Sequence, residues 1–207
     1  GLVRPDVAAV LFDEPLTVID PHLKWLLRRK LKQIHQQLKL SLLYVTHDQT
    51  EALTFADQVV VMSQGEIVQI GTPEQLFETP AHRFVGHFIG SPGMNFLDCE
   101  WSAGAATIAG VRVATSSVQA PSAGASLAIG VRPEHLELAS TPGPNRVPVR
   151  VAAIQDQGVH TMVRVEAGAS FAWAKLRTDV AAPATGNAFA YLPPTRCALY
   201  AGDRRVP

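Results

Sequence analysis

Residues Val7 to Glu14 read VAAVLFDE, an apolar run of strand formers closed by two adjacent carboxylates, and Ser41 to His47, SLLYVTH, repeats the pattern with a histidine at its end. A strand that is apolar on both faces has to be covered on both, the condition inside a parallel α/β sheet. In open sheets of that kind ligands bind beyond the carboxyl ends of the strands. Asp13, Glu14 and His47 all fall at such ends. An acidic residue there can hold Mg²⁺, usually through waters, because that ion keeps much of its hydration shell and takes one or two protein carboxylates. A neighbouring carboxylate can polarise an attacking water, a role worth roughly 10²–10⁴ in rate. The paired acids alone fit equally well a strand end closed by solvated groups ahead of a Pro15 turn.

The intervening segments narrow the choice. Thr17, Val18, Ile19 and Asp20 make a short loop, and Asp20 followed by Pro21 has the form of an N-cap with proline at the first helical position. The spacing predicts a helix over HLKWLLRRKLKQIHQQLK, with Leu23, Leu26, Leu27, Leu31, Ile34 and Leu38 recurring every three or four residues. Lys24, Arg28, Arg29, Lys32 and Gln36 fall largely on the other face, so the basic cluster RRKLK reads as a solvated helix face and the helix as a crossover covering the sheet. Asp48 with Glu51 three residues on has the form of a capping box opening a second helix over QTEALTFADQ.

With these residues in place, LFDEPLTVIDPHLKWLLRRKL and LLYVTHDQTEALTFADQVVVMSQGEIVQIGTPEQLFETP resemble the second half of an ATP-binding-cassette (ABC) ATPase, more closely the nucleotide-binding subunit of maltose and glycerol-3-phosphate type importers. The likeness runs through about the first 95 residues. It implies that Asp13 stands at the Mg²⁺ position of the Walker B strand, Glu14 at the catalytic base position and His47 at the switch histidine that reaches the γ-phosphate of ATP. Thr17-Val18-Ile19-Asp20 matches the D-loop, which in this family touches the opposite subunit; Thr17 and Ile19 depart conservatively from the commoner serine and leucine, and Asp20 is retained. The sequence contains no GxxxxGK[ST] loop, and neither the Q-loop glutamine nor an LSGGQ-type signature ahead of Walker B. Gly1 to Pro5 stand where the helix leaving that signature would end, so the chain reads as the C-terminal part of such an ATPase, expected neither to bind ATP tightly nor to hydrolyse it alone, since most phosphate-positioning groups lie upstream.

Further on, VVVMSQGEIVQIG predicts a β-hairpin turning at Gln64-Gly65, Thr72-Pro73-Glu74-Gln75 opens a short helix over PEQLFE, and AHRFVGHFI is a further helical stretch. Ser91-Pro92-Gly93 breaks the pattern, dividing an ATPase part, 1–92, from a second domain, 93–207. There, NFLDCEW, GVRVAT, LAIGV, VPVRVAAI, HTMVRVEA, FAWAKLR and FAYLP recur between Gly, Pro and Ser, several alternating apolar and polar, as in a small antiparallel barrel of the OB-like kind. IGVRPEHLEL and the closing AYLPPTRCALYAG resemble the accessory TOBE domain of the same importers. The fold class expected is therefore α/β, a partial P-loop NTPase sheet with helices, followed by an all-β OB-like or TOBE-type barrel. Arg132, Glu134 and His135 are expected in a turn bent by Pro133, their charges paired or facing solvent.

An OB-like barrel raises nucleic-acid binding, but 18 Lys+Arg stand against 18 Asp+Glu with no basic stripe interleaved with aromatics, which argues against it. Cys99 and Cys197 are too few for a disulfide framework, no Cys/His cluster suggests a structural metal, and no apolar stretch has membrane-spanning length. The resemblance implies ATP and Mg²⁺ as cofactors of the complete protein. It implies as partners a second copy of the chain, membrane permease subunits and a regulatory protein on the β domain, and a cytoplasmic place peripheral to the inner face of the cell membrane. The lean is toward carbohydrate or glycerol phosphate import. The alternative is a stand-alone dimerisation or regulatory module with vestigial ATPase motifs, against which stands the retention of Asp13, Glu14, Asp20 and His47 together.

Overall fold

The structure is a computed structural model describing residues 7–39, 41–117, 119–122, 124–181 and 183–207. Gly1 to Pro5 and the Leu38 side chain, both used above, lie outside the described residues. The chain divides into two compact units, one of residues up to Val60 with Ile70–Pro73, the other of Val61–Gln69 with Glu74–Pro207.

The first unit opens with β1 (Ala9–Asp13), α1 (Pro21–Leu38), β2 (Ser41–Val45) and α2 (Gln49–Phe55). β1 and β2 pair in parallel, Ala9 against Ser41 through Asp13 against Val45, and a parallel pair needs a crossover such as α1. Asp20 caps α1 by accepting from the His22 N–H at 3.0 Å, with Pro21 at the first turn as its sequence suggests. The leucine stripe is covered only in part: Leu31 and Ile34 are half-buried, whereas Leu23, Leu26 and Leu27 are exposed, as are Leu11 and Leu43 on the strands. Two strands offer too little surface to bury an apolar helix face of five turns.

Next come β3 (Val59–Ser63) and β4 (Glu66–Gly71), which form a two-stranded sheet. Gln64 and Gly65 between them both have positive φ, 51° and 82°, the backbone of a two-residue type I′ hairpin turn. Two six-residue helices follow, α3 (Pro73–Glu78) and α4 (Arg83–Phe88).

The rest is β: β5 (Asn95–Asp98), β6 (Glu100–Ser102), β7 (Ala105–Ile108), β8 (Val111–Val113), β9 (Leu127–Val131), β10 (Glu137–Ala139), β11 (Arg146–Asp156), β12 (His160–Ala167), β13 (Ser170–Arg177), β14 (Gly186–Tyr191), β15 (Cys197–Ala201) and β16 (Arg204–Arg205). They form antiparallel sheets in the orders β10-β14-β11-β12-β13, β16-β15-β9-β5 and β6-β7-β8. Inward residues of all three, among them Leu97, Ile108, Ile129, Val149, Val163, Ala174 and Leu199, share one apolar core. The expected α/β part followed by an all-β part is what the chain forms. NFLDCEW divides into β5 and β6, with Cys99 between them donating its N–H to Leu127 O at 3.1 Å, one step beyond the Asp98–Ala128 pair of the β5–β9 ladder.

Arg132 corrects an expectation. It neither faces solvent nor pairs with a carboxylate: it is 1 % exposed, and its guanidinium donates to the carbonyl oxygens of Phe77 (2.9 and 2.7 Å), Gly86 (3.1 Å), Leu76 (3.4 Å) and Ile89. Those carbonyls belong to the ends of α3 and α4, where helices leave acceptors unsatisfied and carry partial negative charge. One planar cation with five donors serves both ends, and the Phe77 ring lies 4.2 Å beneath it. Burial holds its pKa down, at about 10. Glu134 does pair, with Lys175 at 3.2 Å, and Pro133 turns the chain so that its carbonyl accepts from the Lys175 N–H.

Candidate functional site

The parallel register that sets Asp13 beside Val45 carries the next residues of both strands to one edge. There the Glu14 N–H donates to Val45 O at 2.9 Å, extending the ladder by one bond. Glu14 then leaves the sheet with φ at 43°, a left-handed conformation costly for a residue with a Cβ. The turn that follows is closed by the Thr17 N–H on Glu14 O at 3.3 Å and anchored by Leu16, which is buried.

This geometry brings the predicted acid and histidine together. Glu14 Oε1 lies 2.9 Å from His47 Nδ1, and the Thr17 hydroxyl donates to Glu14 Oε2 at 3.0 Å. Both partners are open to solvent. The hydrogen bond from His47, then that from Thr17, holds the Glu14 carboxyl below its ordinary pKa; the same contact with Glu14 raises the imidazole above its own. Asp13 ends β1 exposed beside this pair. Asp20 stands apart, at the head of α1, its carboxylate occupied by the cap.

The strand end that carries His47 is fixed from below. Asp48 Oδ1 accepts from the N–H groups of Thr50 (2.8 Å) and Glu51 (3.4 Å), half of the expected capping box. The other half is not made. The Asp48 N–H goes to Thr46 Oγ1 at 3.0 Å, which frees Glu51 to accept on one oxygen, Oε2, from the hydroxyls of Tyr44 (2.9 Å) and Thr46 (3.0 Å). Glu51 is buried, and its Oε1 has no hydrogen-bond partner among the described residues. Burial first, then the Glu51 carboxylate, pushes the Tyr44 pKa upward. Sequence reasoning missed Glu51 because its position three after an N-cap has a simpler explanation. Thr17 had a signal, a hydroxyl three residues beyond the acid across a proline turn.

Among the described residues no three His, Cys, Asp or Glu side chains gather as a ready metal site. Mg²⁺ does not need one: it binds through one or two carboxylates together with substrate phosphates, and exposed Asp13 at a strand end fits that demand. No described helix is long and apolar enough to cross a membrane.

Residues 90–136 match the family model described as the MalK OB fold domain, and residues 129–194 match the TOBE domain. Over 206 residues the chain is 36% identical to the sn-glycerol-3-phosphate import ATP-binding protein UgpC of Yersinia pestis bv. Antiqua, covering 98% of this chain and 57% of that protein. It is 40% identical over 165 residues to the UgpC protein of Salmonella choleraesuis, covering 78% of this chain and 46% of that protein. It is also 39% identical over 184 residues to an uncharacterized ABC transporter ATP-binding protein, y4oS, of Sinorhizobium fredii, covering 87% and 48% respectively. The chain thus spans about half the length of the curated relatives it matches.

Proposed function

We infer, from the premise that this chain belongs to the family of ABC-type import ATP-binding subunits of the maltose and glycerol-3-phosphate kind, that it forms the part of such a subunit in which the attacking water is activated. The observation that carries the reading is the 2.9 Å contact between Glu14 and His47 at the carboxyl ends of two parallel strands.

Glu14 is the general base. Its carboxylate, ionised at neutral pH like any ordinary glutamate, takes the water proton, and the contacts with His47 and Thr17 that lower its pKa aim it at some expense of basicity. His47 orients that carboxylate through Nδ1, and its other ring nitrogen would be the group to meet a bound γ-phosphate. Asp13 would hold Mg²⁺, which would supply positive charge to the phosphates. Bound ATP and Mg²⁺ supply the phosphoryl group and neutralise charge on it. Asp20, at the head of α1, couples the two sites of a dimer. The 207 residues contain no phosphate-binding loop, so the chain by itself is expected to show no turnover.

Residues 1–92 serve as the ATPase part and 93–207 as the accessory β part. The whole protein works as a homodimer against membrane permease subunits at the inner face of the cell membrane, importing carbohydrate or glycerol phosphate, and its β domain receives a regulatory protein. The UgpC names of the relatives support the glycerol phosphate lean. The test is Glu14→Gln in the polypeptide that includes the phosphate-binding loop. ATP binding should persist while steady-state hydrolysis falls at least a hundredfold; near-normal turnover removes Glu14 from the base role.

A further inference from the structure

Glu14 is a flexible side chain on an exposed strand end, and a base of that kind works only if its carboxylate is aimed. Its two oxygens are held by two different groups: Oε1 by the His47 imidazole at 2.9 Å, Oε2 by the Thr17 hydroxyl at 3.0 Å. The second hold is built into the loop. The Thr17 N–H closes the turn onto Glu14 O, the Ile19 N–H closes the next onto Leu16 O at 3.2 Å, and buried Leu16 pins the turn between them. The same four-residue turn therefore sets both the left-handed backbone of Glu14 and the hydroxyl that grips its carboxylate. A β-branched side chain is stiff at χ1, which suits it to hold a hydroxyl in one place.

We propose that Thr17 is a positioning residue for the water-activating carboxylate, its hydroxyl clamping Glu14 Oε2 so that Oε1 stays on His47. The clamp lies within one chain, and it ties the aim of Glu14 to the placement of the loop running from Pro15 to Asp20. The proposal rests on Glu14 being the base, as argued above.

The test compares Thr17→Val, which keeps the shape and deletes the hydroxyl, with Thr17→Ser, which keeps the hydroxyl and deletes the methyl. In the polypeptide that includes the phosphate-binding loop, Thr17→Val should lower kcat for ATP hydrolysis about 3- to 10-fold, the worth of one hydrogen bond, with KM for ATP within about twofold. Thr17→Ser should restore kcat to within about twofold of the parent. In the 207-residue chain, the nuclear Overhauser contact between the Glu14 side chain and the His47 ring at pH 7 should weaken in Thr17→Val and persist in Thr17→Ser. Val and Ser variants that behave alike in both measurements overturn the clamp. A Glu14→Gln protein that still turns over overturns the base reading instead, and the ring contact then shows separately whether Thr17 holds the carboxylate.

Discussion

Glu14 keeps a left-handed backbone at a cost of about 1–2 kcal/mol, and what it gains is a carboxylate directed at His47. That contact has a defined pH range. His47 is raised in the folded chain, so its contribution is complete below the ordinary imidazole value and fades as pH rises through the raised one. Glu14 is lowered, so its contribution is complete above the ordinary carboxylate value and fades as pH falls through the lowered one. The pair is therefore closed from weakly acidic to neutral pH. Proton NMR of the His47 ring should give a midpoint above about 6.5 in the parent chain and one close to about 6.5 in Glu14→Gln; equal midpoints would mean that the contact does not form in solution. That Asp13, Glu14 and His47 fall together at the carboxyl ends of two strands was legible because each follows a recognisable apolar run. The hydrogen bonds that hold them were not, since Tyr44 and Thr46 reach Glu51 only once α2 has folded back along β2.

At the scale of elements, α3 and α4 are too short to persist as isolated helices, and they depend on the side chain that closes their ends. Replacing Arg132 by Met leaves buried carbonyls of Leu76, Phe77, Gly86 and Ile89 without that donor, a loss of roughly 3–5 kcal/mol. Lys keeps the charge with fewer, differently directed donors, so its cost should be intermediate. Urea unfolding followed at the amides of residues 73–90 gives the order, and an Arg132→Met chain as stable as the parent would contradict the clamp. The helices themselves, the Gln64-Gly65 hairpin and the alternating strands were readable because period and turn chemistry are local. Arg132 was not, because Pro133, Glu134 and His135 beside it suggest a polar turn whereas its partners lie 43 to 56 residues earlier. The leucines of α1 announced a covered face, and among the described residues much of that face meets solvent; periodicity records that a surface must be covered without saying by what.

Across the molecule the burial is uneven. Among the described residues from Val7 to Val60, Leu16 and Val59 are the buried hydrophobic ones, whereas the β strands from Asn95 onward share a core of more than twenty. Local opening energies follow buried contacts, so hydrogen exchange should find the amides of β11, β12 and β13 protected by orders of magnitude more than those of β1 and β2. Comparable protection in both would show that β1 and β2 are covered in solution, as an edge exposed on both sides invites. The Arg132 clamp also orders events in time. Its acceptors lie in residues 76–89, yet the arginine is fixed only when β9 is flanked by β5 and β15, and β15 ends at Ala201. A ribosome adding ~5–20 residues per second needs roughly 5–20 s to cover the hundred or so residues between them. Through that interval the carbonyls of residues 76–89 are out of the exit tunnel before the arginine that serves them is fixed, so this segment settles after strands made later, and a pause late in the message prolongs its exposure to chaperones and proteases.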